Sequence, residues 1–245
     1  MNVYSGRLSE NYDIIHMDKD YDYEVNFLIN AFKNFSSKKL TKIIDIGCGT
    51  GSHARRFDNS EYSVLGVDIS KEMIDIANKN KVGQNLKFIN CDISEVIGQY
   101  DLSYSFFNVI NHIMRIDELT NFFKSIRSLL SKDSLYVFDC YNGLATILDM
   151  PRDRYIEKIT DENQKLRIAT KCEIELFNEG LTLHYEVNYK NDSFQYSINH
   201  RLWTPGVLKD ILNQVGFKVI KKVKTFDLKS DAKVDDYKIV FICGI

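Results

Sequence analysis

The stretch Ile43-Ile44-Asp45-Ile46-Gly47-Cys48-Gly49-Thr50-Gly51 decides how this chain is read. Ile43, Ile44 and Ile46 are β-branched and apolar, which suits a strand covered on both faces of a sheet. Gly47, Gly49 and Gly51 then break that strand into a tight turn opening a helix. A residue without Cβ lets the backbone turn sharply and approach a ligand closely. The spacing D-x-G-x-G-x-G narrows the ligand. A nicotinamide or flavin fingerprint wants G-x-G-x-x-G after the strand. Ser52 and Ala54 stand where its last glycine belongs in either register, so the chain fails that pattern.

Three further elements follow in order. Val64-Leu65-Gly66-Val67-Asp68 is a second apolar run ending in a carboxylate. In a doubly wound sheet the carboxyl end of the second strand lies beside that of the first. A carboxylate there can accept hydrogen bonds from both hydroxyls of a ribose. Ser70 reads as the N-cap of a helix with Met73, Ile76 and Ala77 on one face. Leu86-Lys87-Phe88-Ile89-Asn90 alternates as a short strand and leads into Cys91-Asp92-Ile93. Gln99-Tyr100-Asp101-Leu102-Ser103-Tyr104-Ser105-Phe106-Phe107 is the fourth strand.

Over roughly residues 40 to 140 this order resembles the class I S-adenosylmethionine-dependent methyltransferases, whose first motif has the form of Asp45 to Gly51. The resemblance implies S-adenosyl-L-methionine as cofactor. It places Asp45 near the methionine amino group and Gly47, Cys48 and Gly49 along the cofactor. Asp68 would take the ribose, with Ile69 and Met73 beside it. Asp92 would accept from the adenine amino group and Ile93 would contact the ring, with Cys91 and Phe106 also among the cofactor-binding residues.

Composition agrees. With 245 residues the chain is long enough for one large domain with a full core. Charged residues at 27% and apolar residues at 44% are ordinary for a globular protein. A net charge of −2 gives no electrostatic footprint for nucleic acid. Five scattered cysteines without C-x-x-C spacing argue against a disulfide framework and for a reducing compartment. The first residues lack the apolar core of a signal peptide, and no run reaches membrane-spanning length. A cytoplasmic protein with no membrane partner is the expectation.

Tyr23, Phe27, Ala31 and Phe35 mark a helix before the first strand. Asp117 reads as the cap of another, with Leu119, Phe122, Phe123, Ile126, Leu129 and Leu130 facing the core. Leu135 to Asp139 is the fifth strand. Alternating helices and strands predict an α/β fold, a doubly wound, seven-stranded Rossmann-like sheet, whose final strand by resemblance runs antiparallel to the rest. After Pro151 the pattern changes. Period-2 stretches surround the turns Asn178-Glu179-Gly180 and Lys190-Asn191-Asp192-Ser193, predicting an inserted set of antiparallel β-hairpins. Thr204 and Pro205 open the next helix and Gly216 closes it. Val219 to Val223 and Tyr237 to Cys243 complete the sheet. The expected organisation is a cofactor-binding core over 1–150 and 203–245, with 151–202 as a lid or homodimer contact.

A sulfonium methyl is already activated, so displacement mainly needs a nucleophile held close and deprotonated. His112 leaves the carboxyl edge of the fourth strand beside Asn111 and can act as that base, or simply cap the helix after it. The arrangement further resembles the small-molecule methyltransferases that N-methylate nucleotide-linked amino sugars. It shares with them a Tyr12-Asp13 pair, a loop histidine and the inserted strands. On that resemblance Tyr12 lies over the cofactor, the alternative being a core aromatic. Asn111, His200 and Arg201 are candidates for holding a small-molecule substrate, although the last two can equally be exposed strand residues. The five histidines are too dispersed for a metal site. Competing readings are a methyltransferase for tRNA, rRNA or protein, and a non-catalytic cofactor-binding protein. The two prolines, Pro151 and Pro205, exclude the Asp/Asn-Pro-Pro-Tyr/Phe signature of amino-DNA methylation.

Overall fold

A computed structural model describes residues 3–57 and 61–245. The run Lys42–Ile46 forms β1, and its four apolar or acidic inner residues are buried because neighbours cover both faces. On one side β1 pairs with β2 (Ser63–Asp68), which pairs with β3 (Leu86–Asn90). On the other it pairs with β4 (Tyr100–Ser105), then β5 (Leu130–Tyr141). All these pairings are parallel. The last two strands of the chain, Lys218–Lys224 and Lys238–Gly244, extend the sheet beyond β5, and Lys238–Gly244 runs antiparallel to both neighbours. The order reverses at β1, and a crevice opens there between the carboxyl ends of β1 and β4.

Helices cover both faces. Before β1 lie α1 (Arg7–Ile15) and α2 (Tyr21–Phe35), and α3 (Lys71–Lys79) follows β2. Ser70 caps α3 as expected, accepting from the Met73 amide. The apolar face of α2 is turned from the one predicted. Tyr23 is half exposed, and Val25, Phe27, Leu28, Ala31 and Phe32 face the core. A strict four-residue spacing drifts off the stripe that a period of 3.6 keeps facing inward. The next helix, α4 (Ile116–Ser128), starts one residue before the expected cap. Arg115 holds the cap position and donates to both oxygens of Asp117 at 3.0 Å, leaving that carboxylate in the first turn, where the helix dipole favours it. A short α5 (Gly143–Leu148) was not legible in the sequence.

The segment after Pro151 forms a separate antiparallel sheet, β6 (Arg154–Ile159), β7 (Lys165–Glu175), β8 (Gly180–Tyr189) and β9 (Asp192–Arg201), with the two predicted turns joining β7 to β8 and β8 to β9 and a further turn over 160–164 joining β6 to β7. Then α6 (Pro205–Gln214) follows, Thr204 accepting from the Val207 amide, and β10 (Lys218–Lys224) and β11 (Lys238–Gly244) close the chain. The small sheet does not stand alone. Leu166, Ile168, Val187 and Tyr189 bury against Leu8 and Ile15 of α1, and Leu181 and Leu183 against Leu202. Thus α1 lies between the hairpin sheet and the crevice. No helix among the described residues is long and apolar enough to cross a membrane.

Candidate functional site

The crevice is a cavity of about 630 Å³. Its floor is the turn after β1. Gly47, Gly49 and Gly51 all hold a left-handed φ, at 72°, 55° and 79°. At Gly49 an added Cβ would meet nothing within 4 Å, so this backbone faces open space. Asp68 closes the turn from the side. One carboxylate oxygen accepts from the Gly49 amide at 2.9 Å and the other from the Ser70 amide at 2.8 Å. Burial raises its pKa against those amides. Each oxygen keeps further accepting capacity toward the cavity.

The roof is the N-terminal segment. Ser70 donates to the Tyr4 carbonyl at 2.7 Å, and Thr50 donates to Asp13 at 2.5 Å, so the segment is strapped across the glycine turn. It brings Val3, Tyr4 and Tyr12 to the cavity wall. The far wall comes from the loop after β4. There Phe107 and Asn108 are both left-handed, at φ 75° and 61°. This backbone costs energy outside glycine, and a buried carboxylate stabilises it. Asp139, at the end of β5, accepts from the Asn108 amide at 2.8 Å while Lys238 Nζ sits 2.6 Å from its other oxygen. The loop runs on into a 3-10 turn, Val109–His112.

His112 lines the cavity from that turn. Burial lowers its pKa to about 4, so the imidazole is neutral near pH 7. Tyr4 Oη lies 3.0 Å from His112 Nε2 and accepts from it when the ring proton is on Nε2, the tautomer that leaves Nδ1 free to take a proton. The other ring face meets His200, centroids 4.7 Å apart.

Of the residues picked from the sequence, Gly47, Gly49, Asp68, Ile69, Met73, Cys91, Asp92, Ile93, Phe106, Tyr12 and His112 come together on this cavity. The Tyr12 ring packs on His16, centroids 4.6 Å apart, and still lines the cavity. Asp92 also works locally. It caps the turn Ile93–Glu95, accepting from Ser94 with Glu95 reaching back.

Others lie elsewhere. Asp45 and Cys48 are buried beneath the turn rather than on its surface. Asp45 Oδ2 has no hydrogen-bond partner among the described residues, and burial, with the Asp68 charge adding to it, pushes its pKa up to about 7. Asn111 is fully buried and spans two elements, donating to the Arg201 carbonyl at 2.7 Å and accepting from the Tyr141 amide at 3.1 Å. Arg201 points away from the cavity, its guanidinium held by the Asn178 carbonyl at 2.6 Å and Glu179 at 2.8 Å. His200 stands behind His112 rather than on the wall. Asn111 and Arg201 therefore lie off this cavity, each committed to holding the 3-10 turn and β9 in place. Trp203 joins that brace by donating to the Ile110 carbonyl at 3.2 Å.

Sequence reasoning missed Tyr4, Phe107, Asp139 and one face of α4 with Glu118, Asn121, Phe122 and Ser125. A carboxylate at the end of β5 was the available signal for Asp139. Nothing local marks Tyr4. Among the described residues no cluster of His, Cys, Asp or Glu is placed to hold a metal ion.

A methyltransferase domain profile matches residues 43–133. A putative methyltransferase of Geobacillus sp. strain WCH70 is 29% identical over 135 residues, 54% of this chain and 55% of that protein. The chain carries a methyltransferase domain. The dTDP-3-amino-3,6-dideoxy-alpha-D-glucopyranose N,N-dimethyltransferase of Streptomyces fradiae is 26% identical over 129 residues, 45% of this chain and 51% of its own length. The match thus spans about half the length of these relatives. A solved S-adenosylmethionine-dependent methyltransferase from Clostridium acetobutylicum superposes with a TM-score of 0.82 over 100% of this chain and 99% of its own, at 17% identity. At that identity the likeness is one of fold, and it includes the hairpin sheet.

The residues of this chain fit S-adenosylmethionine on structural grounds. The open face of Gly49 leaves room for a ligand against the backbone, Asp68 offers acceptors beside it, and Asp45 Oδ2 is an orphaned buried acceptor below it. Asp68→Ala is expected to weaken S-adenosylmethionine binding by about 1.5–3 kcal/mol, the scale for hydrogen bonds to a charged group, with the fold retained by circular dichroism. Wild-type affinity in a calorimetric titration of the folded variant would remove Asp68 from the cofactor site.

Proposed function

We propose that the chain moves a methyl group from S-adenosylmethionine to an amine or hydroxyl of a small molecule, and that the acceptor is an amino sugar carried on a nucleotide. The single observation behind this reading is the convergence of the glycine turn, Asp68 and a neutral His112 on one roofed cavity. The cofactor supplies a methyl group already activated toward displacement. The chain's own residues have three tasks. Gly49 and Asp68 seat and orient the nucleoside, and the segment carrying Tyr4 and Tyr12 keeps water out. His112, oriented by Tyr4, takes the proton that the acceptor amine or hydroxyl gives up as its bond to the methyl carbon forms and the sulfonium bond breaks.

The amino-sugar part leans on the Streptomyces fradiae relative, whose name states that acceptor. Within this reading, residues 1–150 and 203–245 bind cofactor and residues 151–202 select the acceptor. Strand β6 is an edge with Tyr155 and Ile159 exposed, and a homodimer through it belongs to the same proposal. A net charge of −2 gives an RNA or DNA substrate little electrostatic support. Incubation with methyl-labelled S-adenosylmethionine and a panel of free and nucleotide-linked amino sugars tests the proposal. Label should appear in a nucleotide-linked amino sugar. Cofactor binding with no transfer to any member would favour a non-catalytic binding protein.

A further inference from the structure

His112 is held from two directions, and the hairpin sheet supports both holders. On one side stands Tyr4. Its hydroxyl lies 3.0 Å from His112 Nε2, and the two rings meet edge to face with centroids 5.5 Å apart. Tyr4 owes that place to α1, which the hairpin sheet fixes at both ends and along one face. At its start Arg7 donates to the Ser193 carbonyl at 3.1 Å and pairs with Asp192 at 2.9 Å. At its end Lys158 of β6 donates to the Ile15 carbonyl at 2.9 Å, where a cation suits the helix dipole. Between these ends Leu8 and Ile15 pack on the sheet.

On the other side stands β9. His200, 4% exposed, sets its ring 4.7 Å from that of His112 at an angle of 51°, and Tyr141 backs it at 5.2 Å. The neighbours of each histidine lock the pair together. Asn111 donates to the Arg201 carbonyl, and the Trp203 indole donates to the Ile110 carbonyl. His200 Nδ1 has no hydrogen-bond partner among the described residues. A buried nitrogen left in that state costs stability, so what His200 contributes to this contact is the flat ring. His200 lies off the cavity and can act on the reaction only through His112.

We propose that His200 is a positioning residue which, with Tyr4 opposite, fixes the orientation of the His112 ring, so that the hairpin sheet takes part in the chemistry by aiming the base. An imidazole on a loop turns readily about its Cβ–Cγ bond, because that torsion has no sharp wells. Only one orientation puts Nε2 on the Tyr4 hydroxyl and leaves Nδ1 free to take a proton. A base must also stay within hydrogen-bond reach of the proton it removes. The ring of His200 blocks the turn from one side while Tyr4 holds the nitrogen on the other. This rests on the reading of His112 as the base and adds to residues 151–202 a task besides acceptor selection.

The test follows the His112 ring nitrogens by nitrogen-15 NMR in the full chain saturated with S-adenosylhomocysteine near pH 7, where burial keeps the ring neutral, with His112→Ala to assign the signals. Wild type should show one tautomer, protonated on Nε2. His200→Ala should show a mixture, and its kcat with the amino sugar that wild type labels should fall about tenfold or more, the scale of a misplaced reacting group. His200→Phe keeps the ring and drops the unpartnered nitrogen, so it should keep the single tautomer, near wild-type turnover and at least wild-type stability. Affinity for S-adenosylhomocysteine should be unchanged in both. Tyr4→Phe removes the opposite holder without opening space and should also give a mixture, which tests the two-sided hold even if His200→Ala does not fold. A single tautomer retained in a folded His200→Ala or in Tyr4→Phe, or a His200→Phe as mixed and slow as His200→Ala, would overturn the positioning role and leave the base reading intact. Full turnover in His112→Ala would overturn the base reading itself.

Discussion

His112→Ala is expected to lower kcat by roughly 10²–10⁴-fold, the range for a positioned acid–base group, while S-adenosylmethionine affinity stays near wild type. The imidazole sits on the cavity wall, and its Nε2 is already oriented by Tyr4. Its lowered pKa gives the prediction a second signature. Burial moves it from the ordinary 6.5 down to about 4, so the neutral form predominates at every pH above about 4. An acid limb set by this group therefore lies near pH 4, and activity should hold between pH 6.5 and 5, where an unperturbed histidine would already be charged. If His112 only supports the turn before α4, stability falls in the variant and turnover per folded molecule does not. Matching turnover of wild type and His112→Ala at saturating substrate would sink the base role.

Gly51→Ala should cost about 2–5 kcal/mol of stability. Its φ is 79°, where a non-glycine residue costs about 1–2 kcal/mol. An added Cβ would also lie 2.4 Å from Phe88 Cζ, and overpacking of a tight core costs about 1–3 kcal/mol. Gly49→Ala makes the contrast. It has the same handedness and open space around it, so stability should drop by only about 1–2 kcal/mol, while cofactor binding is lost because the methyl group occupies the ligand's side of the turn. Denaturant midpoints and calorimetry on the two variants separate these effects. A Gly51→Ala protein as stable as wild type would show that the turn tolerates what its geometry forbids.

The parts of the site that the sequence disclosed are those whose causes are local. Gly47 to Gly51 and Asp68 follow from strand pattern and turn chemistry alone, and Ser70, Thr204 and Pro205 mark helix starts because capping needs those residues where they stand. The hairpins were legible because alternation survives along each strand. What stayed hidden depends on packing between distant segments. The helix α1 lacks a side-chain cap and is held by Leu8 and Ile15 against the hairpin sheet, so no signal in its own residues announced it. Tyr4 reaches His112 only because that helix is docked there. Asn111 and Arg201 illustrate the converse. Both lie near the right loop in sequence, yet Asn111 turns inward to brace it and Arg201 turns outward to the β7–β8 turn.

The central claim is that the cofactor lies over the β1 turn with its ribose on Asp68 and its reactive end toward His112. A crystal structure of the chain with S-adenosylhomocysteine tests it most directly. The account predicts both ribose hydroxyls within hydrogen-bond distance of Asp68, about 2.5–3.0 Å, the nucleoside between Ile69 and Ile93, and the sulfur on the His112 side of the cavity. A nucleoside bound away from Asp68, or a sulfur facing the opposite wall from His112, would contradict it.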